Sequence, residues 1–459
     1  MQPKPKLSVT GYRAIWGKDL NEKIAFEYVR TFAKFIRAKG GKKIIVGRDA
    51  RKTGPAIFSA TKAALGSEDL EMTYVGIIPT PSMLLLTKDL GFDGGIMITA
   101  SHNPPEYNGV KFIMPEGRLT NEEETAKLED FRKNMTEEEK ILPELETEEP
   151  KTDNSEFRKI HIKKVLANID VELIRSKKFK VALDPINSAG SIIAEELLKE
   201  LGCEVHIING TPDGNFAHTP EPLEKNLAGT LEFMKKIKPD VGFVQDPDAD
   251  RLVLVDNHGD YILEELMVTL VIKSVLSRPE NIGKQNTAVV NLSTTKVCDD
   301  VAKEYDAKLY RTKVGEANVV ARMIATNAPV GGEGSGGAIY PRVGYFRDSL
   351  SGMSLILELL AREDKKISEI VASLPKYFMK KDKYPLSGRL EEVYAKLKDK
   401  FQGTEINTAD GVRFDWTDSS WVHIRPSNTE PIVRVFGEAK TPQQIEAVFK
   451  EVRLTLEGN

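Results

Sequence analysis

The chain predicts an α/β fold of three related strand-and-helix domains followed by a small α+β domain, and three observations carry this. Short apolar strands recur as Ile44-Ile45-Val46-Gly47, Val181-Ala182-Leu183-Asp184 and Ala288-Val289-Val290-Asn291. Helical patterns alternate with them through the first three quarters of the chain, as in successive α/β units. The last segment breaks the theme: Trp421-Val422-His423-Ile424-Arg425 and Ile432-Val433-Arg434-Val435 read as two strands flanking a turn. At roughly 100–200 residues per domain, 459 residues make three or four domains.

In chain order, Ile24, Ala25, Tyr28, Val29, Phe32 and Ile36 recur at helical spacing before the first strand. Gly95-Ile96-Met97-Ile98 reads as a buried strand. The segment 120–153 is dense in Glu and Lys, and Thr120 with Glu123 fits a capping box. It reads as a solvated helix and a linker, which puts a boundary near 154. The strand at 181 leads into a helix over Ser191-Ile192-Ile193-Ala194-Glu195-Glu196-Leu197-Leu198. A second boundary falls near 258, after Val253-Leu254-Val255-Asp256, and a third near 372, after the helix holding Leu355, Leu359 and Leu360. The expected domains are 1–153, 154–258, 259–372 and 373–459.

Composition excludes several classes. Hydrophobic residues make 40% and charged residues 29%, as in ordinary globular proteins. A net charge of −4 gives no global basic field for nucleic acid. Cys203 and Cys298 have no CxxC partner, so no disulfide and a reducing compartment are expected. The opening Met1-Gln2-Pro3-Lys4-Pro5-Lys6 lacks an apolar targeting core. No run approaches the roughly 20 apolar residues of a membrane span. The expectation is a cytoplasmic protein without nucleic-acid or membrane partners.

Five motifs carry chemistry. Thr99-Ala100-Ser101-His102-Asn103-Pro104 holds a serine at the end of a buried strand, where a reacting group can reach it. A serine hydroxyl is a weak nucleophile and needs a nearby base or metal; alone, Ser101 reads more readily as a turn serine. His102 suits an orienting or a catalytic role. Asp246-Pro247-Asp248-Ala249-Asp250-Arg251 follows another apolar strand. Alternate residues of an extended loop can aim three carboxylates at one hard cation, and oxygen-only ligands favour Mg²⁺ over zinc. A calcium EF-hand needs Gly and Glu where Arg251 and Asn257 stand. A haloacid-dehalogenase loop wants Thr or Val where Asp250 stands. In Asn108-Gly109-Val110-Lys111-Phe112, Lys111 is placed to offset phosphate charge or move a proton. Gly331-Gly332-Glu333-Gly334-Ser335-Gly336-Gly337 lacks a P-loop ending, but Glu333 and Ser335 can hydrogen-bond sugar hydroxyls from a tight turn. Arg425-Pro426-Ser427-Asn428-Thr429-Glu430-Pro431 offers a guanidinium and neutral donors to an anion. Together a serine, a divalent-cation site and a phosphate cradle point to phosphoryl transfer.

On these motifs, in this order, the whole chain resembles the α-D-phosphohexomutases, the superfamily of phosphoglucomutase, phosphomannomutase and phosphoglucosamine mutase. Thr10-Gly11-Tyr12-Arg13 and Gly47-Arg48-Asp49-Ala50-Arg51 resemble further signatures of that family. The resemblance implies four domains around a central cleft: three related mixed-sheet α/β domains and a C-terminal α+β domain. It implies a phosphate on Ser101 and one Mg²⁺ per chain, held by Asp246, Asp248, Asp250 and the Ser101 phosphate. It implies Arg13, Lys111 and His102 as further catalytic candidates. Arg251, Glu333, Ser335, Arg425, Ser427, Asn428 and Thr429 are the implied substrate-binding residues. The implied partners are sugar phosphates and a hexose bisphosphate, handled by a monomer or homodimer. A substrate that must turn around between two transfers also implies a hinge between the third and fourth domains.

The chain departs from the family at two places. Many phosphomannomutase/phosphoglucomutase members have His where Gly337 stands, which would pass a basic role to Lys111, His102 or water. The N-terminal motif reads Tyr12-Arg13-Ala14 instead of Ile-Arg-Gly. Thr312-Lys313-Val314-Gly315-Glu316-Ala317-Asn318-Val319-Val320 and Ala338-Ile339-Tyr340-Pro341 resemble the archaeal-type phosphoglucosamine mutase branch. That makes glucosamine phosphate the expected substrate, with a phosphomannomutase/phosphoglucomutase as the alternative. An Asp246-nucleophile phosphatase and a non-catalytic sugar-phosphate sensor are the remote alternatives.

Overall fold

A computed structural model describes residues 5–146, 148–385, 389–427 and 432–457. They gather into two compact units, one within residues 5–267 with 337–368, the other within 268–336 with 369–457.

In the first unit, a mixed sheet runs Tyr12–Ile15, Tyr107–Met114, Gly94–Ile98, Lys43–Arg48, Glu71–Ile77, with Arg118–Leu119 paired to Tyr107–Met114. The last three strands of that order are parallel, and the first two are antiparallel to their neighbours. Gly94–Ile98 is buried along its whole length, as its unbroken apolar run requires. Helix Glu22–Ala38 starts where the Asn21 side chain accepts from Ile24 N at 3.0 Å. Its predicted apolar positions Ala25, Tyr28, Val29, Phe32 and Ile36 are buried in the core of this sheet. Burying each of the larger aliphatic or aromatic side chains contributes about 1.5–3 kcal/mol.

The acidic segment differs from expectation. Its capping box is Asn121 with Glu124, not Thr120 with Glu123. Thr120 is buried and accepts from Thr125 Oγ1, while Arg118 forks onto both oxygens of Glu124 at 2.7 and 2.9 Å. Helix Glu122–Lys133 is no free linker either, because Leu128 is fully buried in the first core.

A second mixed sheet in this unit runs Leu252–Val255, Val241–Gln245, Lys180–Asp184, Glu204–Ile207, its first pair antiparallel and the rest parallel. Helix Ser191–Glu200 follows the strand at 180. Buried behind it, Ser82 Oγ lies 2.9 Å from His161 Nδ1, and His161 Nε2 lies 3.2 Å from Asp348 Oδ2. All three side chains are shut off from solvent, so this Ser-His-Asp row is framework. Asp348 also accepts from Leu350 N and Ser351 N, which fixes the start of helix Ser349–Glu363.

In the second unit, Lys308–Thr312, Thr287–Asn291 and Val330–Glu333 pair in parallel. An antiparallel sheet runs Phe378–Pro385, Ile432–Ala439, Trp421–Pro426, Val412–Asp415, Glu405–Asn407. Its core includes Val412, Phe414, Val422, Ile424, Val433, Val435 and Phe449. The two sheets meet at a buried polar seam. Glu438 accepts from Thr295 Oγ1 at 2.6 Å, Lys296 N at 2.7 Å and Trp421 Nε1 at 3.0 Å. Arg413 donates to the Leu292 carbonyl, and Ser293 Oγ lies 2.9 Å from His423 Nδ1. Parting this seam would strand buried charged groups without partners. Cys203 and Cys298 are both free thiols. Among the described residues no helix is long and apolar enough to cross a membrane.

Candidate active site

Ser101 follows the buried strand Gly94–Ile98 by three residues, in a turn where its φ is +50°. Its amide donates to Thr99 Oγ1 at 2.9 Å, and Thr99 Oγ1 donates to Asp49 Oδ2 at 2.6 Å. Arg51 closes the loop from below. Its guanidinium donates to the carbonyls of Ser101 and Asn103, both at 2.6 Å, of Pro104 at 2.7 Å and of Tyr107 at 2.8 Å. Asp49 neutralises it at 3.1 Å; burial pushes the Asp49 carboxyl up while Arg51 and Thr99 pull it down. The Ser101 hydroxyl donates to Asp246 Oδ2 at 3.2 Å and lies 3.3 Å from His102 Nδ1. Burial, with Arg251 and Arg13 close by, holds His102 well below its ordinary pKa, so its ring is neutral near pH 7.

Asp246, Asp248 and Asp250 converge, each offering one carboxylate oxygen within 4.8 Å of the others. The loop is a tight turn, not the extended segment expected. Ala249 N donates to the Asp246 carbonyl at 3.0 Å, and Ala249 has φ +53°. Neighbours pin its carbonyls: Ser188 Oγ on Pro247 at 2.6 Å, Thr80 N on Asp248 at 3.0 Å, Ser349 Oγ on Ala249 at 2.7 Å. Left-handed backbone at a non-glycine residue costs on the order of 1 kcal/mol, which these bonds offset.

The electrostatics fit a cation site. Burial first, then the charges of Asp248 and Asp250, push Asp246 well above the usual carboxylate range. Burial would raise Asp248 too, but Lys111, Thr80 and Arg13 outweigh it and hold Asp248 below that range. Lys111 Nζ donates to Asp248 Oδ2 at 2.5 Å and to Thr80 Oγ1 at 3.3 Å. Asp248 Oδ1 and Asp250 Oδ1 are buried without a hydrogen-bond partner. A buried, oxygen-only donor set with two bare carboxylate oxygens fits a hard divalent cation such as Mg²⁺.

Cations surround this turn. Arg13 sits on Tyr12–Ile15 opposite Gly109, so it shares a sheet face with Lys111 two residues on. Burial lowers the Arg13 pKa, and the Asp248 and Asp250 charges oppose that. Arg13 Nε and Arg251 Nε are buried without a hydrogen-bond partner, and Arg251 Nε lies 3.9 Å from Asp250 Oδ1. Under-bonded guanidinium nitrogens suit an oxyanion. The first unit therefore brings together Ser101, His102, Lys111, Arg13, the three aspartates and Arg251.

The second unit brings together another set. Glu333 Oε1 accepts from Asn291 Nδ2 at 2.9 Å and from Gly315 N at 2.8 Å. Ser335 is half-buried in the turn that follows. Arg425 pairs with Arg434 across the sheet, and its Nε donates to Asp410 Oδ2 at 3.3 Å. Burial and Arg434 lower the Arg425 pKa, while Asp410 and Glu333 oppose them. Ser427 N donates to the Ile432 carbonyl at 2.9 Å. Asn428 and Thr429 lie outside the described residues.

Sequence reading missed Arg51 as the brace of the serine loop, though it stands in the quoted Gly47–Arg51 signature. It also missed Thr80, Arg347 and Asp410. Of these only Asp410, in an Asp-Gly turn signal, left a local trace.

Known proteins match this chain along nearly its whole length. Four family descriptions match in order: phosphoglucomutase/phosphomannomutase alpha/beta/alpha domain I over residues 5–139, domain II over 159–259, domain III over 264–378, and the C-terminal domain over 378–455. A phosphoglucomutase/phosphomannomutase of Thermococcus kodakarensis is 36% identical, over 95% of this chain and 94% of that one. A phosphoglucosamine/phosphogalactosamine mutase of Sulfurisphaera tokodaii and a phosphoglucosamine mutase of Methanocaldococcus jannaschii are each 32% identical, over 98% of both chains. Among solved structures, a phosphoglucomutase/phosphomannomutase family protein of Burkholderia thailandensis aligns over 100% of this chain and 98% of its own, with 26% identity and a TM-score of 0.84. An N-acetylphosphoglucosamine mutase of Aspergillus fumigatus, solved with GlcNAc-6P and magnesium, shares the fold at 15% identity over 98% of this chain and 95% of its own, with a TM-score of 0.60. The chain belongs to the phosphoglucomutase/phosphomannomutase family of phosphohexomutases, which are isomerases that move a phosphoryl group within a sugar phosphate.

Proposed function

We propose that the protein is a phosphoglucosamine mutase that interconverts the 6-phosphate and 1-phosphate of glucosamine through a phosphate on Ser101. The observation that carries the chemistry is the Ser101 hydroxyl, set between Asp246 and the neutral His102, beside two bare carboxylate oxygens. In the first transfer the P–O bond to Ser101 breaks and a new P–O bond forms on a sugar hydroxyl. The hydroxyl proton ends on Ser101 Oγ, relayed by His102. The sugar bisphosphate turns around, and its other phosphate returns to Ser101 by the reverse steps. Asp246, Asp248 and Asp250, with a phosphate oxygen on Ser101, would hold Mg²⁺, which when bound neutralises charge on the transferring group. Lys111 keeps Asp248 ionised and in place. Arg13 and Arg251 turn their unpartnered Nε groups to phosphate oxygens.

Arg425, Ser427, Asn428 and Thr429 grip the phosphate that is not reacting, and Glu333 and Ser335 read the sugar hydroxyls. A grip that must accept both orientations needs charge and donors without rigid sugar contacts. Free cysteines suit a cytoplasmic setting. The domain limits 153/154, 258/259 and 372/373 belong to this reading.

Archaeal relatives named phosphoglucosamine mutase support the amino sugar. The Thermococcus relative, at 36% identity, keeps a phosphomannomutase/phosphoglucomutase as a second reading. The test is kcat/KM for glucosamine 6-phosphate, mannose 6-phosphate and glucose 6-phosphate, with Mg²⁺ and a trace of sugar bisphosphate. A preference of tenfold or more for glucosamine 6-phosphate, about 1.4 kcal/mol in transition-state binding, is expected. Equal or faster turnover of the neutral sugars overturns the choice of substrate.

A further inference from the structure

Gly337 and Arg347 occupy one space. A Cβ added at 337 would lie 2.2 Å from Arg347 Cδ and 2.9 Å from Arg347 Cγ. The backbone does not call for glycine there: Gly336 has φ +87°, but Gly337 is not in the left-handed region. Glycine at 337 is therefore a matter of room, and Arg347 uses that room. The two segments run side by side, because Ile339 and Arg347 form an antiparallel bridge and Asp348 N donates to the Ala338 carbonyl at 3.0 Å. Asp348 is held in turn by buried His161 and by the first amides of helix Ser349–Glu363. The Arg347 backbone is thus fixed, and its side chain extends across Gly337.

At its far end, Arg347 Nη2 donates to Asp250 Oδ2 at 2.7 Å. Asp250 Oδ1 is left buried and without a hydrogen-bond partner. Asp248 shows the same division: Oδ2 is taken by Lys111 and Thr80, and Oδ1 is bare. In each carboxylate a cationic side chain bonds one oxygen and leaves the other without a hydrogen-bond partner, with Arg251 Nε 3.9 Å from that oxygen of Asp250.

We propose that Arg347 is a positioning residue of the cation site. It fixes the Asp250 carboxylate with Oδ1 toward the ion, and Gly337 is glycine so that Arg347 can lie there. The proposal rests on the cation reading above. Outer partners of metal ligands commonly set affinity through orientation, and a planar guanidinium orients a carboxylate more firmly than an ammonium does.

The experiment is Mg²⁺ titration calorimetry on the full chain, at one fixed Ser101 phosphorylation state, with melting curves to confirm folding. Arg347→Ala is expected to raise the Mg²⁺ Kd roughly 10- to 100-fold, and Arg347→Lys to fall between it and the parent. Gly337→Ala is expected to weaken Mg²⁺ binding in the parent, where its methyl displaces Arg347, and to have little effect on top of Arg347→Ala. That non-additivity is the signature of a shared space. Absence of Mg²⁺ binding in the parent would sink the cation reading and the proposal with it. Parent binding with an unchanged or tighter Kd in Arg347→Ala, or an equal cost of Gly337→Ala in both backgrounds, would overturn the proposal and leave the cation reading standing.

Discussion

Arg51 Nη2 donates to the backbone carbonyl of Ser101 at 2.6 Å, from a side chain that is 1% exposed. One guanidinium satisfies four carbonyls of the serine loop while neutralising Asp49, so the loop is shaped by a residue fifty positions away. Arg51→Met should lower stability by about 3–5 kcal/mol, the usual result of leaving a buried charge unpaired, and turnover by roughly 100-fold or more through misplacement of Ser101. Arg51→Lys should recover less than half of either loss, because an ammonium cannot fork. Denaturant melts alongside kcat would check both, and a Lys variant as good as the parent would count against the brace.

Ser101 carries φ +50°, a conformation that suits glycine better than alanine. Both Ser101→Ala and Ser101→Gly should abolish phosphoryl transfer. The Gly variant should be the more stable of the two by about 1 kcal/mol, although glycine usually destabilises. Melting temperatures in the opposite order would show that the turn relaxes when the hydroxyl is lost.

His423 is fully buried in the seam of the second unit, with its pKa pushed down to about 4 by burial, by Arg413 and by Arg425, against the opposing carbonyl and charge of Asp410. The folded state keeps this ring neutral, while the unfolded chain takes up the proton near pH 6.5. Stability should therefore be full above about pH 6.5 and fall as pH drops toward 4, with a slope of up to 1.4 kcal/mol per pH unit from this group. Asp49 and Asp246, whose carboxyls are raised, act in the opposite direction on acidification. The check is thus a difference: His423→Gln against the parent, by denaturant unfolding from pH 7 to 4. Parallel stability curves would contradict it.

Asp410 Oδ2 ties Arg425 of the proposed phosphate grip to the 312–320 segment, accepting from Val314 N at 3.0 Å and from Arg425 Nε at 3.3 Å. Gly411 allows the approach, since a Cβ there would lie 2.2 Å from the Ile424 carbonyl oxygen. Asp410→Asn should raise KM for the sugar phosphate several-fold and change kcat by less, because it loosens Arg425 without touching Ser101. Steady-state kinetics would show this, and a loss confined to kcat would place Asp410 in another role.

Much of the scaffold was legible because it rests on local patterns. Gly94–Ile98 and Lys43–Arg48 announce themselves as apolar runs, helix Glu22–Ala38 by its 3.6-residue period, and the three aspartates by their spacing. Signals satisfied by two neighbouring registers were not resolved locally. Thr120-x-x-Glu123 and Asn121-x-x-Glu124 both fit a cap, and the choice fell to Arg118, which grips Glu124. The shape of the Asp loop was misjudged because a left-handed Ala249 leaves no mark in composition. The partners of the site were hidden for a simpler reason. Arg51 reaches carbonyls, which every residue has, and Arg347 reaches Asp250 across 97 positions, so neither contact has a sequence signature.

In the proposed reaction Ser101, not Asp246, carries the phosphoryl group. The direct measurement is to incubate the full chain with hexose bisphosphate bearing labelled phosphate, quench in acid, and map the label. Label on the Ser101 peptide that resists hydroxylamine, is absent in Ser101→Ala and is chased into sugar phosphate by unlabelled substrate is the predicted result. Hydroxylamine-labile label on the Asp246 peptide, surviving Ser101→Ala, would contradict the account and make the aspartate the nucleophile.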